Sequence, residues 1–304
     1  MSQSLHPSTF RLHPSSYRGR LAPSPTGYLH AGHARTFWAA YERAREAGGA
    51  LVMRVEDLDS SRSRAEFAAA ALEDLRWLGV EWQEGPDVGG PFAPYVQSAR
   101  RGFYLEAWAR LVADGFVYPC SCSRRDIARA AEAPHEQQSA RPGAVQNEHD
   151  DEPVYPGACR PRAGEAPPVV ESPAGVNWRF RVPDGEEVAF EDLKQGGQVF
   201  VAGRDFGDFA VWRRDDVPAY QLAVAVDDAS MRVTEVVRGA DLLKSTARQI
   251  LLQRALGYAT PRYFHCDLVT DERGRRLAKR HESLSLRRLR ASGLTPEQVR
   301  ERFG

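Results

Sequence analysis

The tightest constraint on the fold lies in residues 17–59. Residues 17–21 lead into a Pro-rich turn within LAPSPTGYLHAGHART, and residues 35–47 have helical composition. Gly48-Gly49 then offers a left-handed cap, and LVMRVEDLD, residues 51–59, is apolar until it ends in acids. A strand whose carboxyl end turns acidic is what a buried parallel strand looks like where it opens into a site, so the segment reads as a βαβ unit. The expected class is α/β.

His30 and His33 stand three apart at the entrance to that helix, on one face of its first turn. Pro23 and Pro25 stiffen the approach and Gly27 permits unusual dihedrals. Free N–H groups and the helix dipole favour an anion there, and a phosphate would suit. A lone His-x-x-His is better explained by a helix cap at His30 and sheet packing at His33, and zinc is a further option, though no acid or third histidine lies nearby. No Gly-Lys-Ser/Thr follows, which excludes a P-loop, and no G-x-G-x-x-G marks a dinucleotide site.

Residues 65–78 and 99–114 are helical in period, the second with Tyr104, Leu105, Trp108 and Leu111 on one face. Composition shifts at residue 131, where 131–153 carry acids, Gln and Pro without an apolar run, an exposed acidic and disordered loop. Short strands are expected at 177–182, 188–193, 198–202 and 209–213. They read as a small inserted α+β subdomain, after which α/β character resumes at 220–226, 233–237 and a helix over 243–256. The chain therefore divides into an N-terminal extension (1–16), a first half of the parallel-sheet domain (17–118), the insertion (119–218), a second half (219–260) and a basic loop with a short helical end (261–304).

That basic loop, Gly274-Arg275-Arg276-Leu277-Ala278-Lys279-Arg280-His281, changes the weight of the histidine pair. LAPSPTGYLHAGHART resembles the HIGH motif of class I aminoacyl-tRNA synthetases, and RRLAKRH resembles their KMSKS loop. Lys279 stands at the functional second lysine and Arg276 at the first. VEDLD, VDDAS (226–230) and VTEVVRGADLLKSTARQ (233–249) are similar to the glutamyl branch of that class. The resemblance implies a Rossmann-like parallel sheet, with His30, Gly32, His33, Arg276 and Lys279 on ATP and Mg2+ on the pyrophosphate oxygens. It further implies L-glutamate held by Arg20, Leu21, Ala22, Pro23, Ser24, Glu56, Tyr220 and Arg238. Planar guanidinium forks suit its carboxylates, and Glu56 suits its ammonium. His30, His33 and Lys279 would be the catalytic groups.

Ala240 replaces the usual Glu after Arg238-Gly239, and the chain stops soon after the basic loop, leaving no room for an anticodon-binding domain. Both features resemble the shorter members of the branch, which place glutamate on the cyclopentenediol of queuosine at the wobble position of tRNA(Asp). A truncated glutamyl-tRNA synthetase charging tRNA(Glu) is the alternative. Arg287, Arg288 and Arg290 would then meet RNA phosphates or form a solvated helix face. Cys120-Ser121-Cys122 followed by Tyr155 and Cys159 resembles the zinc site of the branch and implies a structural Zn2+, one per chain. Reduced structural thiols are the other reading, and His135 or His149 could stand in for Tyr155.

Charge narrows the rest. Lys and Arg number 41 and so do Asp and Glu, so RNA contact must rest on a local patch rather than a global field. The four cysteines are too few for a disulfide framework, and residues 1–16 lack a signal-like apolar run. The expectation is a cytoplasmic monomer without membrane contact, with Cys266 a buried thiol.

Overall fold

The computed structural model describes residues 17–123, 125–127, 154–162, 165, 170–269 and 285–303. The sequence expectations for residues 1–16, the acidic loop 131–153, His135, His149, Arg276 and Lys279 lie outside them.

Strand β1 (Arg18–Leu21) feeds helix α1 (Ala31–Glu46), which returns the chain to β2 (Ala50–Met53). The two strands pair in parallel from Arg18 opposite Ala50 to Leu21 opposite Met53. The helix starts at Ala31 rather than at residue 35, because the His30 cap lets it begin earlier. Gly48 takes the left-handed conformation at φ 59°, and a Cβ on Gly49 would run into the Tyr17 carbonyl, so the Gly-Gly pair both stops the helix and admits the next strand. VEDLD is loop, since β2 ends at Met53.

On the far side of β1 runs β9 (Glu235–Gly239), tied in through the Thr234 N–H, which donates to the Arg18 carbonyl at 2.9 Å. Strand β10 (Arg262–Cys266) pairs in parallel with β9 along its whole length. β5 (Glu187–Asp192) joins β10 in parallel with Tyr263 opposite Asp192, and β6 (Gly196–Val201) closes the edge as an antiparallel hairpin. β3 (Val117–Cys120), β4 (Asn177–Phe180), β7 (Phe209–Arg213) and β8 (Val217–Pro218) form a separate antiparallel sheet. The stretch read from sequence as one insertion thus serves two sheets, because the β5–β6 hairpin crosses over to the parallel one.

Alternation along the central strands assigns two cores. Leu51, Met53 and Val237 face one side with α1, while Val52, Val236 and Tyr263 face the other. The second side is covered by α3 (Arg101–Ala113), α4 (Tyr220–Ser230) and α5 (Leu243–Leu256). Trp108 of α3 packs edge-on against Trp178 of β4 with ring centroids 5.0 Å apart, which fastens the antiparallel sheet to this core. Residues 220–226 belong to helix α4, and Tyr104, Trp108 and Leu111 are buried on one face of α3 as expected. Helix α2 (Ala65–Trp77) and the terminal helices α6 (Leu286–Ala291) and α7 (Pro296–Phe303) complete the first side. Among the described residues no helix is long and apolar enough to cross a membrane.

Candidate active site

The carboxyl ends of β1, β2 and β9 converge, and the loops leaving them are laced together. Arg54 N–H donates to the Leu21 carbonyl at 2.8 Å, Glu56 N–H to Pro23 at 3.0 Å and Arg64 N–H to Pro25 at 2.9 Å. Residues 21–25 are therefore held by backbone, and Ala22 and Ser24 lie in this rigid turn.

At its end His30 caps α1. Its Nδ1 accepts from Gly32 N–H at 3.1 Å, and its own N–H donates to Nδ1 of His33 at 3.2 Å. The rings lie 3.9 Å apart. A backbone N–H can only donate, so both Nδ1 atoms are acceptors, and each neutral ring carries its proton on Nε2. The Nδ1 edge of each imidazole thus serves the helix, and the phosphate reading concerns the other edge, Nε2. Gly32 is small for a reason, because a Cβ there would lie 3.1 Å from Cε1 of His30.

Arg20 and Arg238 leave adjacent strands and are each 4% exposed. Arg20 Nη1 donates to the Val237 carbonyl at 2.7 Å, and its Nε, 3.8 Å from Asp228, makes no hydrogen bond. Arg238 uses Nε and Nη2 on His265 and Thr246, and its buried Nη1 makes none. Burial pulls the Arg20 guanidinium below its ordinary range; Arg54 and Arg238 push the same way and Asp228 resists. Two buried guanidiniums with unsatisfied N–H groups make a site whose missing partner is an anion.

The Glu56 side chain, 8% exposed, lies beside them. Its Oε1 accepts from Arg54 Nη2 at 2.9 Å, and burial raises its pKa against the pull of Arg54 and Arg20. Tyr220 opens α4 with 40% of its surface exposed, its hydroxyl in electrostatic range of Arg238, Glu56 and Arg20. The structure therefore brings together Arg20, Glu56, Tyr220 and Arg238.

Sequence reasoning does not single out the groups beneath them. Arg54, fully buried, bonds Asp228 at 2.7 Å as well as Glu56. Asp227 takes Arg100 at 2.6 Å, Gln97 at 2.8 Å and Tyr104 at 2.9 Å. The signal was the paired acid of VDDAS inside an apolar run, since an acid with no solvent must have a partner.

At the start of α6 the chain lies beside the histidine turn. Leu286 N–H donates to the Leu29 carbonyl at 2.8 Å, and Ser285 bridges His30. Two of the α6 arginines, Arg287 and Arg290, pair at the surface with Glu73 of α2, at 2.6 and 3.0 Å. Arg287 also lies 3.6 Å from Asp74, a fully buried carboxylate with no hydrogen bond, which burial pushes up to about 6.

Cys120, Cys122 and Cys159 gather with their sulfurs within 4.8 Å of one another. The Tyr155 oxygen sits 3.3 Å from Cys120 Sγ and 3.5 Å from Cys122 Sγ. Burial works against the Cys159 thiolate, but hydrogen bonds from Tyr155 and Ser121 hold that thiol down at about 6. Three sulfurs and a phenol around one point fit a tetrahedral thiophilic ion. Cys266, by contrast, is a core thiol that burial pushes up to about 11.

A turn at a helix N-terminus, at the carboxyl ends of parallel strands and next to two buried guanidiniums, is where open α/β sheets place their ligands. Residues 16–303 match the tRNA synthetases class I (E and Q), catalytic domain, and the chain belongs to that family. Within it, the chain is 50% identical to the glutamyl-Q tRNA(Asp) synthetase of Symbiobacterium thermophilum, over 92% of this chain and 83% of that protein. Identity to the glutamyl-Q tRNA(Asp) synthetase of Nitratidesulfovibrio vulgaris is 47%, over 93% of this chain and 83% of that one. A glutamate tRNA ligase from Elizabethkingia meningosepticum, solved in complex with its amino acid, superposes with a TM-score of 0.69 at 27% identity, covering 87% of this chain. The chain spans 52% of that ligase.

Proposed function

We propose that this protein activates L-glutamate with ATP as glutamyl-adenylate, without tRNA, and transfers the glutamate to the cyclopentenediol of queuosine in tRNA(Asp). The glutamate half rests on the buried Arg20 and Arg238 with their unsatisfied N–H groups beside Glu56 and Tyr220. The acceptor half rests on similarity to the glutamyl-Q tRNA(Asp) synthetases over most of both chains.

In the first step an oxygen of the substrate α-carboxylate attacks the α-phosphorus and pyrophosphate leaves. The carboxylate is already ionised at neutral pH, so no protein base is needed. Arg20 and Arg238 hold the substrate's carboxylates while Glu56 faces its ammonium. The Nε2–H groups of His30 and His33 stabilise charge growing on phosphate oxygens, a role worth roughly two to three orders of magnitude per donor. Mg2+ accompanies the nucleotide as part of the substrate. Lys279 adds a cationic partner for the same phosphates, the role that its match to the second lysine of the KMSKS loop implies. In the second step a queuosine hydroxyl attacks the adenylate carbonyl and AMP departs. Cys120, Cys122, Cys159 and Tyr155 hold a structural Zn2+ that supports β3 and takes no part in either step.

The test supplies labelled glutamate and ATP to tRNA(Asp) from cells grown with and without queuine, and to tRNA(Glu). Transfer confined to queuosine-bearing tRNA(Asp) supports the reading. Efficient charging of tRNA(Glu) would establish a glutamyl-tRNA synthetase activity instead.

A further inference from the structure

Arg238 does not reach the pocket on packing alone. Its Nε donates to Nε2 of His265 at 3.2 Å, and its Nη2 to the Thr246 hydroxyl at 2.6 Å. His265, fully buried on β10, has its Nδ1 2.6 Å from Oδ2 of Asp192, the last residue of β5. A guanidinium N–H can only donate, so Nε2 accepts, and the proton of the neutral ring sits on Nδ1, facing Asp192. This is the opposite tautomer to that of His30 and His33. The other oxygen of Asp192 is fixed as well: Oδ1 accepts from the N–H groups of Lys194 at 3.0 Å, Gln195 at 2.8 Å and His265 at 3.2 Å.

We infer that Asp192 and His265 are positioning residues for the substrate carboxylate: the acid sets the tautomer of His265, and His265 in turn orients the Arg238 fork so that Nη1 faces the pocket. The inference rests on the glutamate-activation reading above. The geometry fits no simpler role fully. A histidine that merely tied β10 to β5 would need Asp192 alone, whereas the second nitrogen of this ring meets both Arg238 Nε, at 3.2 Å, and the Thr246 hydroxyl, at 3.1 Å, the two groups that hold a guanidinium whose remaining N–H is buried and unsatisfied. The relay also places a negative charge behind Arg238 without setting it in the pocket, where it would compete with the substrate.

The relay makes an unusual demand on an isosteric substitution. In Asp192→Asn the three backbone donors at Oδ1 require the amide oxygen to stay there, which turns the amide NH2 toward His265 Nδ1. Nδ1 must then accept and the ring proton moves to Nε2, which can no longer accept from the Nε–H of Arg238; its proton turns to the Thr246 hydroxyl, 3.1 Å away, and the guanidinium loses that anchor. Glutamate-dependent ATP–pyrophosphate exchange should show KM for glutamate raised roughly tenfold or more, with KM for ATP and the melting temperature nearly unchanged. Long-range proton–nitrogen spectra of histidine-labelled protein should move the His265 proton from Nδ1 to Nε2. Thr246→Val removes the acceptor of Nη2, together with the contacts of that hydroxyl at His265 Nε2 (3.1 Å) and the Leu242 carbonyl (3.2 Å), but leaves the tautomer in place, and should raise KM for glutamate by a smaller factor. Wild-type protein lacking glutamate-dependent exchange would sink the functional reading and this inference with it. Wild-type exchange together with an unchanged KM for glutamate in Asp192→Asn would overturn the positioning role alone.

Discussion

The His30 backbone N–H donates to Nδ1 of His33, so the second histidine of the pair completes the helix cap that the first begins. The cap uses the Nδ1 edges of the two rings, whereas the proposed phosphate role uses Nε2, so substitutions can separate the two.

His33→Ala removes both edges. It should lower ATP–pyrophosphate exchange by roughly two orders of magnitude and destabilise the fold by about 1 kcal/mol. His33→Gln keeps an acceptor at the N3 position of a capping box, so thermal melting should stay near wild type while exchange still falls. Exchange at the wild-type rate in His33→Ala would remove the histidine from the phosphate role.

Arg20→Lys preserves charge but loses the planar fork and the donor to the Val237 carbonyl. Steady-state exchange should show KM for glutamate raised roughly tenfold, with KM for ATP unaltered. An equal rise in both would mean that Arg20 serves the fold rather than the amino acid.

The thiol cluster is checked by elemental analysis of purified protein, where zinc should be present and should vanish in Cys120→Ser or Cys159→Ser. Metal binding contributes folding free energy, so both variants should also melt lower. Protein that is free of zinc and equally stable would leave Cys120, Cys122 and Cys159 as plain thiols.

Asp74 gives a pH dependence with a definite sign. Its carboxyl, ordinarily at 3.8, is held at about 6 by burial, so between those values the folded state binds more protons than the unfolded one. Stability from this group is complete below pH 4, declines as pH rises toward 6, and is constant above. Asp74→Asn should abolish that decline, and denaturant midpoints measured from pH 4 to 7 should converge at the acid end. Parallel pH profiles for the two proteins would contradict the assignment.

Much of this site was legible because it sits in contiguous motifs. The Pro-rich turn, the histidine pair, the cysteines and Arg238 each announce themselves locally, and a βαβ unit follows from Gly48-Gly49 between an amphipathic run and an apolar one. What sequence could not place was register. Nothing local in FEDLKQ or RYFHCD states that Tyr263 lies opposite Asp192, yet that pairing alone brings Asp192 to His265. Likewise Arg287 and Arg290 look like solvent-facing cations until Glu73, on a helix far back in the chain, is seen beside both. Long-range partners of charged residues are set by tertiary packing, which a periodicity cannot encode.

The hairpin of β5 and β6 lies in a stretch that reads as a detachable accessory, yet β5 is a hydrogen-bonded member of the parallel sheet and carries Asp192 at its end. Excising or exchanging the whole interval between β3 and α4 would therefore remove a strand from the catalytic scaffold. A minimal version of this protein, or a chimera with a related one, has to break the chain on either side of residues 187–201 and keep that hairpin with the β9–β10 half. The antiparallel sheet shares the α3 core through Trp178, so a graft that replaces its thiol cluster has to keep that contact.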